Sequence, residues 1–192
     1  MSVNDLLHEI RSCRICQPSI QEPRPVLQFD PRAKILLAGQ APGARVHASG
    51  RPYTDPSGDR LRKWMNVTED TFYDASKIAI VPMGFCFPGY DKNGADKPPP
   101  RICAKTWRSQ IVAHLVDIKL ILLIGGYAMR WHAPESWNGR VTDMVVAMRD
   151  NSSNMFALPH PSWRNSTWLK KHPWFEEEVV PRMQERIAEV LA

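Results

Sequence analysis

The chain has 192 residues, 43% hydrophobic and 23% charged, with a formal net charge of +5. These proportions suit one folded domain with a real core, expected over residues 1–192, and exclude a disordered chain. No apolar run approaches the ~20 residues of a membrane span, and the positive charge favours polyanions as partners, nucleic acid above all.

The first ten residues carry acidic and polar side chains and no long apolar stretch, so no secretory leader is expected. A cytoplasmic, nucleoid-associated location is the expectation. Residues 5–16 start as a short helix with Leu6, Leu7 and Ile10 on one face. A proline-rich connection follows over 17–31. Residues 34–38 form an apolar run of the kind found in a strand buried on both faces, and it stops at Gly39-Gln40-Ala41-Pro42-Gly43. Pro56 and Ser57 open a helix through Leu61, Trp64 and Met65, with Ser57 as its N-cap. A second strand is expected at 78–83, a helix at 101–116, and a third strand at 120–124 that ends in Gly125-Gly126. A helix begins at 127–131, a fourth strand covers 155–158, and a last helix covers 174–191. Strands alternating with helices predict an α/β fold, with a parallel sheet covered on both faces. Such sheets bind ligands at the carboxyl ends of their strands, where residues 39–43 and 160–165 both fall.

That rim has useful chemistry. Gly39 and Gly43 allow close approach of backbone amides to a ligand, and Gln40 offers both donors and an acceptor. His160 lies between two prolines that stiffen its loop. Ser162, Arg164 and Asn165 follow as candidate phosphate contacts. Trp163, Trp168 and Trp174 interleave with Lys170 and Lys171, a mixture that fits either a nucleic-acid surface or a core edge.

The only four cysteines are Cys13, Cys16, Cys86 and Cys103, the first two in a C-x2-C pair. Four thiolates complete a zinc or iron–sulfur site, and such a site would tie the N-terminus to the middle of the chain. Free buried thiols and disulfides are the plain alternatives. The lack of a secretory leader argues against disulfides.

Together these segments resemble the uracil-DNA glycosylase superfamily. Gly39-Gln40-Ala41-Pro42-Gly43 is similar to its motif A. His160-Pro161-Ser162, extended by Trp163-Arg164-Asn165, is similar to its motif B. Gly50-Arg51-Pro52-Tyr53 resembles the element whose aromatic ring stacks on the base. The cysteine spacing, with Lys97 to Pro100 before the last cysteine, resembles the iron–sulfur family 4 enzymes. The resemblance implies a three-layer α/β/α domain with a central four-stranded parallel sheet. It implies excision of uracil from single- or double-stranded DNA after base flipping. It also implies a [4Fe–4S] cluster on Cys13, Cys16, Cys86 and Cys103, with zinc as the alternative. A monomer is expected, although no motif reports oligomeric state.

In this reading His160, Gln40 and Asp55 are catalytic. Gly39, Gln40, Ala41, Pro42, Gly43, Tyr53 and His160 bind the base. Ser57, Ser162, Arg164, Asn165, Lys170 and Lys171 meet DNA. Two departures from family 4 matter. Gln40 replaces its motif A glutamate, and Pro42 stands where family 1 carries an aspartate, so motif A has no carboxylate. Asp55 or Asp59 must then orient water, and Asp55 is preferred. In addition, residues 80–86 lack the family's asparagine that reads uracil. Hypoxanthine or xanthine excision, a non-catalytic binder and a covalently trapping variant therefore stay open.

Overall fold

The computed structural model describes residues 1–149 and 154–192. Four strands form one parallel sheet in the order β2-β1-β3-β4, with β1 at Ile35–Ala38, β2 at Ile78–Ile80, β3 at Leu120–Ile124 and β4 at Met155–Leu158. β1 pairs with β2 from Ile35 opposite Ile78, and with β3 from Ile35 opposite Leu120; β3 meets β4 from Ile121 opposite Met155. Side chains alternate across the sheet. Ile35, Leu37, Ile78 and Ile80 enter one core, while Leu36, Ala79 and Val81 enter the other. Both faces are covered, so the strands are apolar throughout rather than alternating with polar residues.

Helices α1 (Val3–Arg11) and α5 (Arg101–His114) cover the second core through Leu6, Ile10, Trp107 and Ile111. The first core is covered by α3 (Pro56–Met65), α4 (Glu69–Tyr73), α6 (Gly126–His132), α7 (Val141–Ala147) and α9 (Val180–Leu191). Two short helices, α2 (Ala44–Ser49) and α8 (Ser166–Lys171), follow the two rim loops. The result is the three-layer α/β/α architecture expected from the sequence.

Several boundaries differ from expectation, each for a local reason. The first helix stops at Arg11, so the C-x2-C pair lies in the turns after it; Ser2 and Asp5 form its capping box. β2 ends at Ile80 because Pro82 cannot donate to the ladder. The chain nevertheless stays beside β1. The Met83 amide donates to the Gly39 carbonyl and the Gly84 amide to the Gln40 carbonyl, each at 2.9 Å. The N-cap of α3 is Asp55, with Pro56 at the first helical position, and Ser57 sits inside the first turn. α5 ends at His114 rather than residue 116. The last helix begins as a wide π-helical turn, Phe175–Val179, before Pro181 in α9. Here the missing proline N–H removes one ordinary helical bond. Helices α2, α4, α7 and α8 were not expected; each is seven residues or shorter, too short for a clear apolar period.

Candidate active site

A cleft of about 480 Å³ opens at the carboxyl ends of the strands. All five residues of the loop after β1, Gly39, Gln40, Ala41, Pro42 and Gly43, line it, together with Tyr53, Asp55, Ser57, His160, Ser162, Arg164 and Asn165. The two rim loops, distant in sequence, thus meet across one cavity. Lys170 and Lys171 do not line it. They are exposed at the end of α8.

His160 follows β4 directly and is half-buried. The Ser162 amide donates to its Nδ1 at 3.3 Å. Nδ1 is therefore the acceptor nitrogen, and the neutral ring carries its proton on Nε2. Burial holds the imidazole below its ordinary pKa, while Asp55 and, more weakly, Asp96 act in the opposite direction. The Asn165 side chain donates to the His160 carbonyl at 2.7 Å, and Arg60 from α3 donates to the Ser162 carbonyl at 3.1 Å. Asn165 thus braces the histidine loop.

Gln40 is held through its backbone by Gly84, and its side chain makes no hydrogen bond to protein among the described residues. Its amide is free for a ligand. Gly39 is required for a steric reason: a Cβ there would lie 2.7 Å from the Tyr53 hydroxyl. Tyr53 has φ +53°, a rare conformation for an aromatic residue. The neighbourhood enforces it. The Tyr53 carbonyl accepts from Arg62 Nη1 and from the Tyr73 hydroxyl, both at 3.2 Å. Its ring stands edge-on to Phe72, 6.0 Å between centroids. Backbone strain maintained in this way is typical of functional sites. Burial, with Asp55 nearby, pushes the Tyr53 phenol well above its usual range, so it stays neutral.

Asp55 lies at the start of α3, and the buried Ser57 hydroxyl donates to its carboxylate at 2.9 Å. Ser57 therefore spends its donor on Asp55. Asp59 does not line the cleft; it pairs with Arg62 at 2.6 Å. Sequence reasoning missed Asp96 and Lys97, which enter the cleft from the loop before α5. Asp96 pairs with Tyr90 in an isolated antiparallel bridge. Asp91 caps the turn of this loop by accepting from the Asn93 and Ala95 amides, and nothing in the sequence aims the loop at the cleft. Of the three tryptophans near motif B, Trp163 is 76% exposed, with the Arg164 guanidinium 5.9 Å from its ring. Trp168 and Trp174 pack on the core, and Trp168 donates to Thr142 at 2.8 Å, so the core reading holds for those two.

On the second core, Cys13, Cys16, Cys86 and Cys103 line one small cavity with Ile15, Phe85 and Trp107. All four are free thiols. The Phe85 amide donates to Cys103 Sγ at 3.4 Å. Burial foremost, with the neighbouring cysteines adding to it, pushes Cys86 up to about 11 and Cys103 up to about 12. Among the described residues, no three His, Cys, Asp or Glu side chains gather closely enough to hold one metal ion. The donor set, four thiols around one apolar cavity with a backbone N–H directed at Cys103 Sγ, fits a cluster whose irons each take one thiolate.

Among the described residues, no helix is long and apolar enough to cross a membrane. A family model described as the Uracil DNA glycosylase superfamily matches residues 27–184. That span includes all four strands, both rim loops, Tyr53 and both cleft carboxylates, as well as Cys86 and Cys103, while Cys13 and Cys16 precede it. The match covers most of the chain, and its ends enclose the whole sheet: the chain belongs to the uracil-DNA glycosylase superfamily.

Proposed function

We propose that the protein is a DNA repair glycosylase that flips uracil into the cleft and hydrolyses its N-glycosidic bond, leaving an abasic site. Cleavage places negative charge on the departing base and positive character on the sugar. The observation that carries the reading is the donation from Ser162 to His160 Nδ1, which leaves Nε2–H as a preorganised donor for the base anion. A neutral imidazole suits this task, because it stabilises charge that appears only in the transition state.

Gln40 reads the amide edge of the base and Tyr53 provides the stacking surface. Asp55, oriented by Ser57, positions water and faces the cationic sugar. Its place in the cleft supplies the carboxylate that motif A lacks, and this favours catalysis over simple binding. Ser162 and Arg164 line the cleft where the strand's phosphates enter, while Lys170 and Lys171 attract the strand from farther out.

The same proposal includes a [4Fe–4S] cluster on Cys13, Cys16, Cys86 and Cys103, of the kind in family 4. When bound, it supplies a clip between the N-terminal turns, the segment after β2 and α5. Four thiols around one apolar cavity suit a cluster, each iron taking one thiolate, and zinc is the alternative occupant. A broad visible absorbance in anaerobically purified protein would mark the cluster.

A time course on single strands containing uracil or inosine, followed by alkali, tests the reading. Strand breaks at uracil are expected. Breaks only at inosine would reassign the base, and none at either would leave a binding protein.

A further inference from the structure

Three cavities lie along the sheet rim rather than one. The cleft shares Gln40, His160 and Asn165 with a second cavity of about 420 Å³ at Gly125 and Gly126. That cavity shares Tyr127 and Arg130 with a third, of about 520 Å³, between α5 and α6. The walls of the third are two facing helix stripes. Arg101, Ala104 and Lys105 fall at i, i+3 and i+4 on α5, and Tyr127, Arg130 and Trp131 at the same spacing on α6. Side chains at this spacing share one helix face, so the sequence places cations and aromatic rings opposite one another.

Apart from the buried Ala104, both stripes face water. Arg101, Lys105 and Arg130 are exposed, Tyr127 is 45% exposed and Trp131 42%. Among the described residues, no carboxylate lines the second or third cavity, and none pairs with these three cations. Two exposed aromatic rings beside three unneutralised cations are unneeded by the core. They are the components of a single-strand track: cations follow the phosphates while rings accept unstacked bases of any identity.

We infer that the groove between α5 and α6 holds single-stranded DNA flanking the nucleotide in the cleft, with Tyr127 and Trp131 stacking bases and Arg101, Lys105 and Arg130 following phosphates. The inference rests on the DNA reading of the cleft and adds where the unpaired strand leaves it. Duplex DNA keeps its bases stacked internally and gains little from the two rings. The track therefore favours single strands.

The test measures affinity for undamaged, labelled oligothymidylate, which contains nothing to excise, across a salt series. Tyr127→Ala and Trp131→Ala should each weaken binding about tenfold. Arg130→Ala and Lys105→Ala should each reduce the salt slope of log K by about 0.7. These surface variants should melt like the wild type and excise uracil normally from a very short strand that covers only the cleft. Wild-type affinity and salt slope in an Arg130→Ala, Trp131→Ala double variant would overturn the groove, as would a loss confined to duplex DNA. Failure of the wild-type protein to excise any base would instead fall on the reading of the cleft, since the oligothymidylate measurement involves no excision.

Discussion

The cleft and the cysteine cavity both remove titratable side chains from water, and in both burial disfavours the charged form. Their neighbours differ. Around His160 stand Asp55 and Asp96, which partly offset the desolvation, though burial still holds the ring below its ordinary pKa. Around Cys103 stand three further cysteines, so each thiolate would raise the next. The cleft is thus prepared for a negative charge that appears briefly on a ligand. In the cavity burial and the neighbouring cysteines both disfavour thiolates, a cost that the proposed cluster would offset. One region is a polar site open to solvent, and the other is a small apolar cavity lined by thiols.

The largest test of this contrast is His160→Ala. It should lower kcat by roughly 10²–10³ while changing DNA affinity little, because the lost donor acts on charge present only in the transition state. Full activity would remove the catalytic meaning of the cleft. Asp55→Asn should follow, at about 10² in kcat. Asp96→Asn should cost clearly less, since Asp96 acts more weakly on His160. Reversal of that order in single-turnover assays would make Asp96 the residue that orients water.

Cys86→Ser addresses the other region. Iron content and visible absorbance should fall and the protein should melt at a lower temperature, while the folded fraction keeps a kcat close to wild type. A kinetic loss without a melting change would make the cavity part of the catalytic machinery.

A smaller effect is expected on acidification, and it sharpens what burial does without a compensating anion. Arg108, 1% exposed, donates through Nε and Nη2 to His132 Nε2 at 3.0 and 2.6 Å, and through Nη1 to the Val81 carbonyl at 2.9 Å. Burial, reinforced by Arg108, lowers His132 from 6.5 to about 3. The unfolded chain therefore binds a proton that the folded chain refuses. The stability contribution is complete above about pH 6.5 and is lost as pH falls toward 3. His132→Gln keeps an acceptor for Arg108 and should flatten this acid sensitivity, as read from melting temperature against pH.

The smallest changes should come from Arg164→Ala and from the Lys170→Ala, Lys171→Ala pair. Each lost phosphate contact should lower the salt slope for duplex binding by about one. An unchanged slope in the lysine pair would confine DNA contact to the cleft and its immediate rim.

Local pattern was enough for the parallel sheet and for the rim loops. Apolar runs such as Ile35 to Ala38 and Leu120 to Ile124 have only one stable use, strands covered on both sides, and Gly39 and the prolines around His160 stop them where ligands bind. The likeness to the superfamily was readable for the same reason, because its motifs are contiguous peptides. Pairings between distant segments were not readable. That Asp96 reaches the cleft, that Ser57 serves Asp55 rather than capping α3, and that Asn165 braces His160 all depend on where loops cross in space. Trp163 and Trp168 are five residues apart and chemically identical, yet one faces water and the other packs on Phe175. Composition names the groups available to a site. Only the closed tertiary fold decides which of them lose water and which meet one another.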